Sequence, residues 1–189
     1  MSAIAEPLPY LSREPAREPA RGPALALAAL GPVAIGAIMA IRAEIASPIL
    51  AVPAVVFGVV AATSPALYIA TAATGTAPPL GAVVRAFGVA LGAFGIALAG
   101  LLLPAAFLGL SSTDTVTTFA AASAAVGVAA FLGLRRLALE LVSSEKPAFP
   151  GATSIKPSLM SSTVFLVWSV ATIGIAGRLW WDLASEVLS

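Results

Sequence analysis

The side chains capable of chemistry are few, and they stand at the edges of long uncharged runs. Arg85 opens RAFGVALGAFGIALAGLLLPAAFLGL, after which no charge follows until Asp114. A guanidinium at the head of an apolar helix can pair with a carboxylate such as Glu140 or take a lipid phosphate, because its planar fork of donors suits both. Asp114 and Asp182 could suggest a carboxylate pair for acid–base work, but each lies at the end of an apolar run, in water, and neither meets a base. Arg178 lies within a turn of Trp180 and Trp181, a combination that anchors a helix at a membrane surface. The hydroxyls inside the runs (Thr63, Ser64, Thr71, Ser123, Ser169, Thr172) lack a base partner and read as interhelical hydrogen-bonders or back-bonders to their own helix.

The missing residue types narrow the chemistry further. There is no histidine and no cysteine in the 189 residues, which excludes thiolate nucleophiles, Cys/His zinc sites, His-ligated haem and imidazole acid–base catalysis. No nucleophile elbow, phosphate-binding loop, H-E-x-x-H or dinucleotide fingerprint occurs. No ionisable group stands in the middle of an apolar run, where proton-coupled transporters usually keep one. The expectation is a protein with no catalytic, cofactor or metal residues that is not an enzyme. A net charge of +1 also gives no electrostatic footprint for nucleic acid.

The elements that hold these residues are transmembrane helices. Hydrophobic residues make up 59% of the chain and charged residues 10%, against about 25% charged in ordinary soluble proteins. The predicted fold is all-α: a polytopic bundle of about five spans with proline-kinked helices. The spans are 23–41, 48–73, 86–110, 116–134 and 162–180. Pro32, Pro53, Pro65 and Pro104 fall inside them, and Thr63 or Ser64 can serve carbonyls that a proline frees. The stretch from 48 to 84 also admits a re-entrant pair of short helices. Residues 1–22, with Arg-Glu-Pro-Ala at 13 and 17 and Arg-Gly-Pro-Ala at 21, read as a disordered tail, because proline at every fourth position blocks a helix. The 143–161 segment is the one long loop, and 182–189 a short outer tail.

Five alternating spans with the amino terminus inside place eight of the ten basic residues (Arg13, Arg17, Arg21, Arg85, Arg135, Arg136, Lys146, Lys156) on the inner side and leave Arg42 and Arg178 outside. That asymmetry orients the chain, carboxyl terminus outside, in what reads as a bacterial inner membrane. Gly88-Val-Ala-Leu-Gly92, continued by Gly95, is a G-x-x-x-G face, and Ser123 to Gly127 repeats the small-xxx-small spacing in the next helix. Such faces let backbones approach. The expectation is that these two faces pack on each other, with a subunit interface as the alternative.

A polar tail, five short spans, a basic residue opening the third (Gly81-Ala-Val-Val-Arg85) and a late proline (Leu103-Pro104) before a small-residue turn resemble the layout of bacterial Yip-family small membrane proteins, over Pro23 to Trp180. The resemblance implies a scaffold or trafficking-type membrane partner rather than an enzyme. The functional expectation is an anchor, scaffold or accessory subunit whose partners are the lipid bilayer and other membrane subunits or its own copies. The alternative is a small channel or permease for a neutral or lipid-like solute, working as an oligomer.

Overall fold

The computed structural model describes residues 21–73, 78–144 and 159–188, and these form five helices: α1 (Arg21–Ala43), α2 (Ser47–Ala73), α3 (Leu80–Ser111), α4 (Thr115–Ser144) and α5 (Leu159–Val187). The amino-terminal tail up to residue 20 and the loop residues 145–158 lie outside the described residues. All five helices are long and apolar enough to cross a membrane. The chain is thus an all-α, multi-pass membrane protein.

The helices outrun their predicted bounds where charge appears. α3 begins at Leu80, directly behind Pro79, so Arg85 stands in its second turn and not at its head. α4 runs past the span bound at 134, through Arg135 and Arg136, to Ser144. α5 carries the supposed outer tail as helix to Val187. Charge ends an apolar run but does not end a helix, because (i, i+4) ion pairs support one on the aqueous side. Arg136 to Glu140, at 2.8 Å, and Arg178 to Asp182, at 3.3 Å, are such pairs.

The re-entrant alternative is not found, since Ser47–Ala73 is one uninterrupted helix across Pro53 and Pro65. Pro65 has no N–H for the Ala61 carbonyl, and the Ser64 hydroxyl turns back to that oxygen at a long 3.5 Å.

α1, α2, α3 and α4 pack around a core containing Ile35, Met39, Val52, Leu98 and Ala129. A second cluster of Leu67, Ala86, Ala90, Leu137 and Trp168 closes the other end. Glycines set the closest crossings, at Gly95 and Gly92 of the small-residue face of α3 but not at its Gly88. A Cβ built on Gly95 would stand 2.7 Å from the Ala28 Cα of α1, and one on Gly92 would touch Ala24 at 3.4 Å. Gly88 and Gly127 face open space. The glycine face of α3 therefore meets α1, and α4 approaches α3 at Gly133 instead, where an added Cβ would stand 3.2 Å from the Phe94 Cβ. One face of a helix can serve only one close neighbour, and α1 occupies this one.

Candidate functional site

α5 leans on α2 and touches α4 only sparsely. That uneven seating leaves a cavity of about 450 Å³ between α2, α3, α4 and α5. Val55 and Val59 of α2, Phe87 and Phe94 of α3, Ala130 and Leu134 of α4, and Trp168 and Ala176 of α5 line it. Its volume falls in the range of about 300–1,000 Å³ usual for small-molecule sites. The mouth lies in the middle of the spans. Phe131 and Gly127 of α4 and Ile173 and Gly177 of α5 border the cavity and are exposed, Phe131 at 65% and Ile173 at 57%. A mid-span opening faces lipid tails and not water.

Small residues make the space. Gly127 and Gly177 line it, and a Cβ on either would meet nothing within 4 Å. Two tryptophans frame its length. At one end the Trp168 indole N–H donates to the Thr63 backbone oxygen at 2.7 Å, with the Phe87 ring edge-on at 6.2 Å. At the other the Trp180 indole N–H donates to Ser123 Oγ at 2.9 Å, and the Ser123 hydroxyl itself donates to the Phe119 carbonyl at 2.7 Å. Trp180 is therefore not a surface anchor: it turns inward beside Phe119, and Trp181, 69% exposed, is the outward ring of the pair. Arg178 is outward too, with its side chain 75% exposed beside Asp182.

The hydroxyls divide into two groups. Thr63, Thr71 and Ser123 bond back to the carbonyl four residues earlier, as expected of such residues in apolar helices. Thr172 does not. It lines the cavity, is only 8% exposed, and its Oγ1 has no hydrogen-bond partner among the described residues. A buried hydroxyl left unpaired costs about 1–3 kcal/mol, which gives the cavity one polar point where a guest's oxygen would be favoured. Ser169, one turn away, also holds a buried unpaired hydroxyl. Nothing in the sequence separates these two from the back-bonded hydroxyls, because the difference lies in rotamer and neighbours.

The charged groups lie at the two ends of the bundle. Near the Trp168 end, Glu140 follows Leu137 along the cavity side of α4 and receives Arg136 at 2.8 Å and Arg85 at 4.0 Å. Its side chain is 17% exposed, so it faces the two arginines more than water. The far end joins the head of α2 to the tail of α5, where the Ser47 hydroxyl donates to Glu186 at 2.7 Å. There Asp114 caps α4, accepting the Thr117 hydroxyl at 2.8 Å and the Val116 and Thr117 amides at 3.1 and 3.0 Å. The Thr117 hydroxyl first, then the two amides, hold its carboxyl below the ordinary carboxylate range. Asp114 and Asp182 serve the ends of two different helices. No protein-family model, curated protein or solved structure matches this chain.

Proposed function

We propose that this protein is a non-enzymatic membrane protein that admits a lipid-like, largely apolar molecule sideways from the bilayer into the α2–α5 cavity, as a binding protein or small permease. The observation that carries the reading is the mid-span opening between α4 and α5 onto a cavity whose walls are apolar but for two hydroxyls, Ser123, which is hydrogen-bonded, and Thr172, which is buried and has no partner among the described residues. A preformed apolar cleft with few polar points is the usual form of a site for such ligands. Thr172 would donate to a carbonyl or hydroxyl of the guest.

The anchor or accessory-subunit reading, which the Yip-like layout also favours, gains no distinctive surface. Large apolar side chains are exposed on all five helices, for example Leu30, Leu50, Leu103, Phe131 and Val170, as contact with lipid requires. Orientation completes the proposal. The arginine-rich end, with Arg85, Arg135 and Arg136, belongs on the inner side, which puts the amino terminus inside and the carboxyl terminus outside a bacterial inner membrane.

Tryptophan fluorescence tests the reading. Trp180→Phe with Trp181→Phe leaves Trp168 as the sole tryptophan, 8% exposed and facing the cavity. Lipid with brominated chains, titrated into the detergent-solubilised protein, is expected to quench Trp168 saturably, and the quenching is expected to vanish when Gly127→Leu and Gly177→Leu fill the cavity. Quenching that rises linearly with lipid, or that survives the filling, would refute a defined site.

A further inference from the structure

We infer that the occupant is an anionic phospholipid, its acyl chain in the cavity and its phosphate on Arg85 and Arg136; this rests on the cavity being a lipid site. The first support is continuity. Leu137 lines the cavity on α4, and Glu140 follows one turn later on the same side, where Arg85 of α3 approaches it at 4.0 Å. The apolar wall thus passes directly into the charged cluster.

The second support is the state of the arginines. Glu140 is gripped by Arg136 at 2.8 Å but is only at the outer limit of an ion pair with Arg85, at 4.0 Å. One carboxylate between two guanidiniums leaves donors on both free to converge on an anion, and the two side chains are 57% and 50% exposed. A bidentate fork suits phosphate oxygens.

The third support is the direction of the charge. At this end the described side chains comprise three arginines (Arg85, Arg135, Arg136) against Glu140. The opposite end sets Arg42 and Arg178 against Glu44, Asp114, Asp182 and Glu186. An anionic headgroup is attracted to the first end and repelled from the second. Depth agrees as well. α3, with 32 residues, is about 48 Å long and overruns a hydrocarbon core of about 30 Å by about 9 Å at each end. Arg85, about 8 Å from the start of α3, stands at the boundary where lipid phosphates begin.

The test uses the full chain in mild detergent, with Trp168 quenching as the readout. Phosphatidylglycerol and phosphatidylcholine with identical brominated chains are compared, and unlabelled glycerol phosphate serves as a soluble competitor. Phosphatidylglycerol is expected to bind at least about fivefold more tightly. Arg85→Gln and Arg136→Gln are each expected to weaken it about fivefold while leaving phosphatidylcholine unchanged. Glu140→Gln removes the competing carboxylate and is expected to tighten phosphatidylglycerol binding, a gain that misfolding cannot mimic. Equal binding of the two lipids, insensitive to all three variants, overturns the headgroup assignment and leaves the cavity reading standing. Failure of both lipids to quench saturably overturns the cavity reading itself. Displacement by glycerol phosphate at concentrations comparable to the lipid identifies a soluble phosphate compound and overturns the lipid assignment.

Discussion

At the scale of single residues, Asp114 shows how a side chain at a helix end works through hydrogen bonds and not through chemistry. Its carboxylate accepts the Thr117 hydroxyl and two amides at the start of α4, and these hold its pKa below the ordinary range. A carboxyl whose folded pKa is depressed contributes stability above its unfolded pKa and loses it as pH falls through the folded value. Asp114→Ala is therefore expected to lower the unfolding temperature at pH 7 by a few degrees. The difference from wild type should shrink below about pH 4, where wild type loses the same contribution. Thermal unfolding of both proteins between pH 3 and 7 checks this, and a gap independent of pH would contradict it. The Ser-Ser-Thr-Asp cluster from Ser111 to Asp114 makes this cap readable from residue order alone, because capping is local. The Arg85 and Glu140 pairing is readable too, since few charges compete for each other. Thr172 is not readable, because an unpaired hydroxyl depends on which neighbours are absent, and those come from other helices.

At the scale of helices, hydropathy locates all five spans, while their ends and their partners need three dimensions. The sequence marks Gly88, Gly92 and Gly95 as one small-residue face of α3. It cannot say which helix comes to that face, and the close contact falls at Gly95 against Ala28 of α1. Lipid supplies no hydrophobic drive between helices, so such contacts depend on backbones coming close, and added volume there separates them. Gly95→Leu is expected to destabilise the bundle by about 1–3 kcal/mol through overpacking. Gly88→Leu, where a Cβ meets nothing within 4 Å, is expected to cost far less. Denaturation in detergent micelles measures the pair, and equal losses would remove the argument that α1 and α3 are held by this crossing.

At the scale of the whole molecule, α1, α3 and α4 pack closely on one another, α2 packs on α1, and α5 packs along α2 while touching α4 only sparsely. α5 is fastened by Trp168 to Thr63, by Trp180 to Ser123 and by Glu186 to Ser47, and the cavity opens between these fastenings. Individual hydrogen bonds in a bilayer contribute about 0.6 kcal/mol on average, so these three add modestly to the packing of α5 along α2 and of Leu183 and Val187 in the core. The central claim is that this opening is a ligand site and not a packing defect, and the two readings give opposite answers when the cavity is filled. Gly127→Leu with Gly177→Leu places side chains in empty space, so the variant is expected to be at least as stable as wild type without ligand. The decisive measurement is thermal unfolding of both proteins with and without phosphatidylglycerol. A ligand at a hundredfold excess over its Kd stabilises the folded state by about 2.7 kcal/mol. Wild type is expected to show that gain and the filled variant to lose it while remaining folded. Equal stabilisation of both proteins by lipid would show that it acts on the outer surface and would contradict the account.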